Sequence, residues 1–280
     1  MKKKHSSKFI IHNSIPKLSV ALATYNEERN ISDCLESVQG LADEVVIVDG
    51  SSSDNTRQIA KKYGAKVIKT TNKPMFHTNK NIAIDNCLGE WILQLDADER
   101  VTPELKEEII QKINDPKNQF SAFWLKRKNY FLGRFLKKGG QYPDPVIRLF
   151  KKGKARLPEK SVHEQMEVSG KVGWLKNDLV HWATPEFSRY WLRENRYATL
   201  EAKNLYNKKI SLINPLNWIK YLLLKPIWIF LNIYFRHKGF LDSWQGFVFA
   251  FFSGYHFAWA FLKYCRMKIA KNFDISKDWK

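Results

Sequence analysis

The run Leu93-Gln94-Leu95-Asp96-Ala97-Asp98-Glu99-Arg100 sets two carboxylates one residue apart, directly after a short apolar segment. If extended geometry persists through Ala97, alternation of side chains projects Asp96 and Asp98 to the same side. Such a pair suits a hard cation, Mg²⁺ or Mn²⁺, whose other positions are filled by water and substrate phosphates. The same acids would equally solvate the loop before a helix opened by Thr102-Pro103-Glu104. Their surroundings add weight to chemistry. Asp49 ends another apolar run and leads into Gly50-Ser51-Ser52-Ser53-Asp54-Asn55-Thr56, whose hydroxyls and amides could meet a base or ribose. Ser53 and Asp54 also read as helix caps. Thr24-Tyr25-Asn26-Glu27 closes a third run in the same manner. Lys80 falls near the start of the helix that precedes Asp96, where an ammonium and the helix dipole together favour a diphosphate. His181, after Leu179-Val180, is either a further metal ligand or a hydrogen-bonded wall residue. Arg148, in a strand from Val146 to Phe150, either reaches a donor or acceptor phosphate or is a solvated strand charge.

Positioning these residues requires strands that end at one edge. Leu18 to Ala23, Val45 to Val48, Lys66 to Ile68 and Trp91 to Leu95 are short, apolar and bounded by turn residues, as buried strands are. Helices are expected between them: Asn55 to Tyr63, capped by Asp54 and ended by Gly64, and Asn79 to Leu88, ended by Gly89. This alternation predicts an α/β fold with a parallel sheet, right-handed crossovers and a ligand crevice beyond the strands' carboxyl ends. From Lys117 to Arg156 the pattern turns to strand and loop, with 12 Lys or Arg and one acid, Asp144. An acidic group is expected to dock there. Thr184 and Pro185 open a helix running to about Tyr206.

The 280 residues carry 47 Lys+Arg against 28 Asp+Glu, a net +19 that favours phosphate-rich partners. Hydrophobic residues at 44% exclude a disordered chain. Three scattered cysteines exclude a disulfide framework or a CxxC zinc site and suit a reducing compartment. Residues 1–16 read as a basic tail with no secretion signal. The last quarter differs. Leu212 to Phe235 and Phe240 to Leu262 are crowded with Trp, Phe, Tyr, Leu and Ile but interrupted by Lys220, Lys225, Asp242 and His256. Between Ala202 and Leu241 there are seven Lys or Arg and no acid. That pattern predicts helices lying in a cytoplasmic leaflet; two spans, a re-entrant hairpin or a buried helical subdomain are the alternatives. The expected organisation is the tail 1–16, a catalytic domain 17–185, a connecting helix 186–211 and a membrane-associating region 212–280.

Thr24-Tyr25-Asn26-Glu27, Val46-Ile47-Val48-Asp49-Gly50-Ser51, Asn79-Lys80-Asn81 and Leu95-Asp96-Ala97-Asp98, in that order, resemble the inverting family 2 glycosyltransferases of the GT-A fold. Asn-Lys-Asn, Asp-Ala-Asp-Glu-Arg and the aromatic basic C-terminus are most similar to bacterial lipopolysaccharide core β-1,4-glucosyltransferases. The resemblance implies a nucleoside-diphosphate sugar donor. Asp49 would contact the base, Thr24 and Glu27 would line the nucleoside pocket with Asn26 and Ser51 in the same loops, Lys80 would lie near the diphosphate, and Asp96 and Asp98 at ribose and metal. The QxxRW signature of processive relatives is absent, so one sugar per acceptor is expected.

Inverting transfer needs a base for the acceptor hydroxyl, a role worth about 10²- to 10⁴-fold in rate. Glu164 falls where the family places its base; Asp144, between two prolines, and His163 are the alternatives. The expected function is metal-dependent, non-processive transfer of a hexose, glucose from UDP-glucose, to lipopolysaccharide core or another phosphorylated glycolipid. The expected location is the cytoplasmic face of the bacterial inner membrane, peripheral or monotopic, against an anionic surface. A polyprenyl-phosphate or polyprenyl-linked acceptor is the alternative within the class. A nucleic-acid-binding protein would also explain the charge, but no zinc-finger, RNP or helix-turn-helix signal accompanies it. A catalytically dead nucleotide-sugar sensor is disfavoured by the presence of both DxD acids and a base.

Overall fold

The computed structural model describes residues 16–73, 75–159 and 165–270, in two compact units. The first comprises the chain up to Arg127 together with Asp144–His181. Its elements begin with β1 Leu18–Thr24, α1 Ile31–Ser37, β2 Glu44–Asp49, α2 Thr56–Lys62, β3 Lys66–Lys69, α3 Phe76–Asp85 and β4 Trp91–Leu95. Strands β3-β2-β1-β4 are parallel neighbours, as expected from the alternation. Along the chain follow β5 Glu99–Val101, α4 Pro103–Asn114, β6 Ala122–Phe131, β7 Arg134–Phe135, which belongs to the second unit, β8 Asp144–Lys151, β9 Ala155–Arg156, β10 Glu167–Val168 and β11 Val172–Thr184. The sheet continues β4-β8-β6-β11-β5. Past β4, where the sequence turns to strand and loop, the pairing changes: β8 pairs antiparallel with both β4 and β6, and β11 with β5. Only helical crossovers make parallel neighbours, and the strand-and-loop stretch after α4 supplies none between β6 and β8.

Period-two alternation in β1 separates two apolar layers. Leu18, Val20 and Leu22 pack with Ile31, Leu35, Leu105 and Ile109 on one face, and Ala21 packs with Val46, Val48, Ala83 and Ile84 on the other. Both faces are covered, which is why β1 reads as an unbroken apolar run. Thr102 caps α4 as expected, its hydroxyl accepting from the Leu105 amide. Helix α3 starts three residues before the expected Asn79 and ends at Asp85. Gly89 is therefore no helix terminator. A Cβ there would lie 2.7 Å from the Ser19 backbone nitrogen, so glycine is required for close approach to β1.

The second unit comprises Lys128–Pro143 and the chain from Trp182. Helix α5 spans Phe187–Asn207 rather than opening at Thr184–Pro185. Thr184 instead closes β11, accepting the Leu132 amide on its carbonyl and Arg193 Nη2 on its hydroxyl. A helical run follows, comprising α6 Pro215–Ile219, a π-helical turn Lys220–Leu224, α7 Lys225–Leu231 and a second π turn Asn232–Arg236. The first π turn lies directly before Pro226, whose missing N–H breaks the regular ladder. Helix α8, Ser243–Ala270, packs on both α5 and α7. Gly246, Ala250 and Gly254 are buried along α8 at four-residue spacing, and a Cβ on Gly254 would lie 2.5 Å from the Pro226 carbonyl oxygen. Among the described residues no helix is long and apolar enough to cross a membrane.

Candidate active site

The carboxyl ends of β1 and β2 lie side by side, with Thr24 opposite Asp49. The loops leaving them are knitted together. Asn26, in the left-handed region at φ 56°, donates its amide to Ser52 Oγ at 2.9 Å, and its Oδ1 accepts from the Ser53 amide at 2.9 Å. Asn tolerates that backbone better than most residues. Asp54 accepts from the Glu28 amide, and Glu28 in return accepts from the Asn55 amide. Burial pushes Asp54 up, but bonds from the Thr56 hydroxyl and amide and the Glu28 amide bring it below the ordinary carboxylate range. Asp49 is fully buried. Its Oδ2 accepts from the Ser52 amide at 2.9 Å, and its Oδ1 from the hydroxyls of Ser52 at 2.5 Å and Thr24 at 3.3 Å. These bonds anchor residues 50–55. Ser51 donates to the Thr70 carbonyl, and the Glu27 carboxylate accepts from Asn30 Nδ2 at the start of α1.

Helix α3 supplies three consecutive anchors. Asn79 Nδ2 donates to the Thr71 carbonyl at 3.0 Å, and Asn81 exchanges bonds with Leu157. Between them, buried Lys80 places Nζ 2.5 Å from Asp96 Oδ1. The other Asp96 oxygen lies 2.6 Å from Arg148 Nη2, which is also 2.8 Å from Glu99 Oε1; Arg148 Nη1 donates to Gln94 Oε1. Arg127 Nη1 is 3.5 Å from that Glu99 oxygen, and its Nη2 is 2.7 Å from Asp144 Oδ2. Lys80, Asp96, Arg148, Glu99, Arg127 and Asp144 thus form one line of alternating charge. Burial alone would raise the Asp96 pKa, but Arg148, Lys80 and Arg127 hold its carboxyl well below the usual range. Glu99, fully buried and supplied from β5, meets Arg127 and Arg148 of the basic stretch.

Asp98 turns elsewhere. β4 stops at Leu95, and residues 96–99 form a turn closed by the Glu99 amide on the Asp96 carbonyl at 2.9 Å, so extended geometry does not persist through Ala97. Antiparallel pairing of β5 with β11 sets Glu99 opposite His181 and brings His181 Nε2 to 3.4 Å from Asp98 Oδ2. Burial pushes Asp98 up, and the neighbouring imidazole brings it below its ordinary value.

The sequence-derived residues are thus sorted by geometry. Lys80, Asp96 and Arg148 meet in one cluster, joined through Glu99 and Arg127 to Asp144. Asp98 meets His181. Thr24, Asn26, Glu27, Asp49 and Ser51 build the adjoining loops. Arg148 is no solvated strand charge; it is buried against two acids. Glu164 and His163 lie outside the described residues. Gln94, Glu99 and Arg127 were not singled out by sequence, although strand alternation puts Glu99 on the same face as buried Val101.

A family model described as glycosyl transferase family 2 matches residues 19–167, and this chain belongs to that family. It is a glycosyltransferase with the GT-A fold. An uncharacterized glycosyltransferase of Rickettsia typhi is 30% identical over 83% of this chain and 81% of its own length. The lipopolysaccharide core biosynthesis glycosyltransferase LpsC of Rhizobium meliloti is 29% identical over 85% of this chain and 91% of its own. Among solved structures, S. aureus TarS 1-349 in complex with UDP is 19% identical over 88% of this chain and 91% of that chain, with a TM-score of 0.48.

Proposed function

We propose that the protein transfers one hexose, with inversion, from a nucleoside-diphosphate sugar such as UDP-glucose to a phosphorylated glycolipid of the lipopolysaccharide core type. The observation that carries this is the convergence of Lys80, Asp96 and Arg148 beyond the parallel strands, in the same unit as the Asp98–His181 pair. Lys80 would exchange its bond to Asp96 for the donor diphosphate, offsetting negative charge on the leaving group as the sugar's bond to it breaks. Asp96, held ionised by its cations, suits the ribose hydroxyls. The loops anchored by Asp49 would receive the nucleoside. An acceptor hydroxyl attacks the anomeric carbon while a carboxylate takes its proton, a task assigned to Glu164. Asp144 suits it less because Arg127 engages its Oδ2 through both Nε and Nη2.

The residues fit a divalent cation in part. Among the described residues no group of three or more acidic, His or Cys ligands gathers, and both Asp96 oxygens already serve cations. Asp98 Oδ2 and His181 Nε2, 3.4 Å apart, are two adjacent ligand atoms that would exchange their mutual contact for an ion, and Mg²⁺ or Mn²⁺ is commonly held by few protein ligands completed by substrate phosphates and water. Asp98 and His181 would hold the ion, which supplies charge neutralisation at the diphosphate.

Membrane attachment at the cytoplasmic face of the bacterial inner membrane is assigned to the second unit. Supporting it are Leu223, Leu224, Ile227, Trp228, Leu231 and Phe235 on the 215–236 run, a row of large apolar side chains left exposed. The test is calorimetry of UDP-glucose and other nucleotide sugars with and without Mn²⁺. Cation-dependent binding of one donor is the expected result, and absence of binding to any nucleotide sugar overturns the proposal.

A further inference from the structure

Helix α8 and the run containing α7 enclose a groove of about 370 Å³, within the range of about 300–1,000 Å³ typical of small-molecule sites. Leu222, Pro226 and Phe230 form one wall at four-residue spacing, and Phe247, Phe251 and Tyr255 form the other. Each trio is a helical ridge, the spacing that places side chains on one face. The glycine-permitted contact at Gly254 and Pro226 draws the two helix backbones together. The Tyr hydroxyl is the sole side-chain polar group along the lining. An apolar slot of this kind offers nothing to a sugar or a nucleotide and suits a hydrocarbon chain.

The surrounding charge chooses the kind of chain. Lys220 precedes the groove, Lys225 lies beside it with Nζ 3.8 Å above the Phe257 ring, and Arg236 and Lys238 follow, with no acid between residues 202 and 241. Glu201 lies 3.8 Å from Lys225 and balances one of these cations. Burial lowers the Lys225 pKa, the response of an ammonium drawn toward apolar surface. A second copy docking symmetrically would set like charge against like. We infer that the groove binds a single acyl or prenyl chain of a lipid with an anionic phosphate headgroup, the headgroup lying at Lys225. This rests on the membrane attachment proposed above and adds a discrete lipid site to it.

The probe is dodecyl phosphate below its micelle concentration, titrated calorimetrically into the full-length chain, with inorganic phosphate as the headgroup-only control. One dodecyl phosphate per chain is expected, with no matching signal from inorganic phosphate. Ala258→Leu, at the groove's edge, fills the slot and weakens binding tenfold or more, because each methylene excluded forfeits about 0.8 kcal/mol. Leu222→Trp fills it from the opposite wall and serves if Ala258→Leu fails to fold. Both variants should still sediment with phosphatidylcholine/phosphatidylglycerol vesicles, since Leu224 and Trp228 are untouched. Equal binding of inorganic phosphate, or affinity unchanged in both filled variants, overturns the lipid-chain site. A dimer by light scattering that Ala258→Leu disrupts overturns it in favour of a second copy. Failure of the parent chain to sediment with vesicles sinks the membrane proposal separately, leaving the dodecyl phosphate result to stand on its own.

Discussion

Lys80 Nζ lies 2.5 Å from Asp96 Oδ1, so the cation assigned to the donor diphosphate is already neutralised by the acid assigned to the donor's ribose. A buried lysine without a partner would be costly, and Asp96 supplies one until a diphosphate arrives. Arg148 holds the other oxygen and keeps Asp96 fixed when Lys80 turns away.

Lys80→Ala should therefore weaken nucleotide-sugar binding without unfolding the chain, since Arg148 still satisfies Asp96. A charged hydrogen bond contributes about 1.5–3 kcal/mol, so affinity should fall roughly 10- to 100-fold by calorimetry. Donor affinity within twofold of the parent would remove Lys80 from the diphosphate site.

Asp98→Asn and His181→Ala act on the cation. In the parent chain, Mn²⁺ is expected to strengthen UDP binding. Each variant should bind UDP equally with and without Mn²⁺ and stay folded, because Asp98 and His181 contact each other at the edge of the sheet and fill no core layer. Retained Mn²⁺ dependence in both would place the ion elsewhere.

Glu99 and Arg148 carry the largest structural consequence. Removing one partner of a buried pair leaves an uncompensated charge and costs about 3–5 kcal/mol. Arg148→Ala should lower the urea midpoint accordingly, because fully buried Glu99 would keep only Arg127 at 3.5 Å and the Asp96 amide. Lys17→Ala, which breaks the exposed pair with Glu90, is the control and should cost at most about 1 kcal/mol. Equal effects would show that Arg148 is not buried as described.

The strands were legible because β1, β2, β3 and β4 are short, largely apolar runs that stop at Thr24, Asp49, Lys69 and Leu95, within one residue of the expected ends. The motif residues were legible for the same reason, since polar groups at the ends of buried strands have no packing role. What was not legible depends on long-range pairing. Glu99 meets Arg148 across 49 residues, and no local spacing encodes that contact. Gly89 misled because glycine also serves close approach, here to Ser19. Thr184 misled because the helix-opening pattern overlapped the end of a 13-residue strand.

Acid should dissolve the charge line. Asp96 and Asp98 both titrate below their ordinary values in the folded chain, so each binds fewer protons folded than unfolded. Their contribution is present above the unfolded carboxylate value of about 3.9 and is lost as pH falls through the lower folded values. Urea midpoints should drop as pH goes from 5 toward 2 (roughly, the window those values set), and Asp98→Asn should flatten part of that slope. An unchanged slope in Asp98→Asn would mean its carboxyl is not held down by His181.

Removing the chain beyond Tyr206 is a poor test of membrane attachment, because Ala202 and Leu205 of α5 pack against Phe261 and Tyr264 of α8, and truncation would strip that core. Charges placed on the bare face are cleaner. Leu224 and Trp228 are 61% and 63% exposed, so Leu224→Glu and Trp228→Glu should each change stability by no more than about 0.5 kcal/mol. Each also removes about 1.5–3 kcal/mol of apolar insertion and sets an acid against anionic headgroups. Sedimentation with phosphatidylglycerol-containing vesicles should fall at least tenfold in apparent affinity in either variant and vanish in the double variant, while calorimetric binding of the donor is kept. Undiminished sedimentation of the double variant would mean that this face does not meet the lipid, and the basic residues of the first unit would become the next surface to mutate.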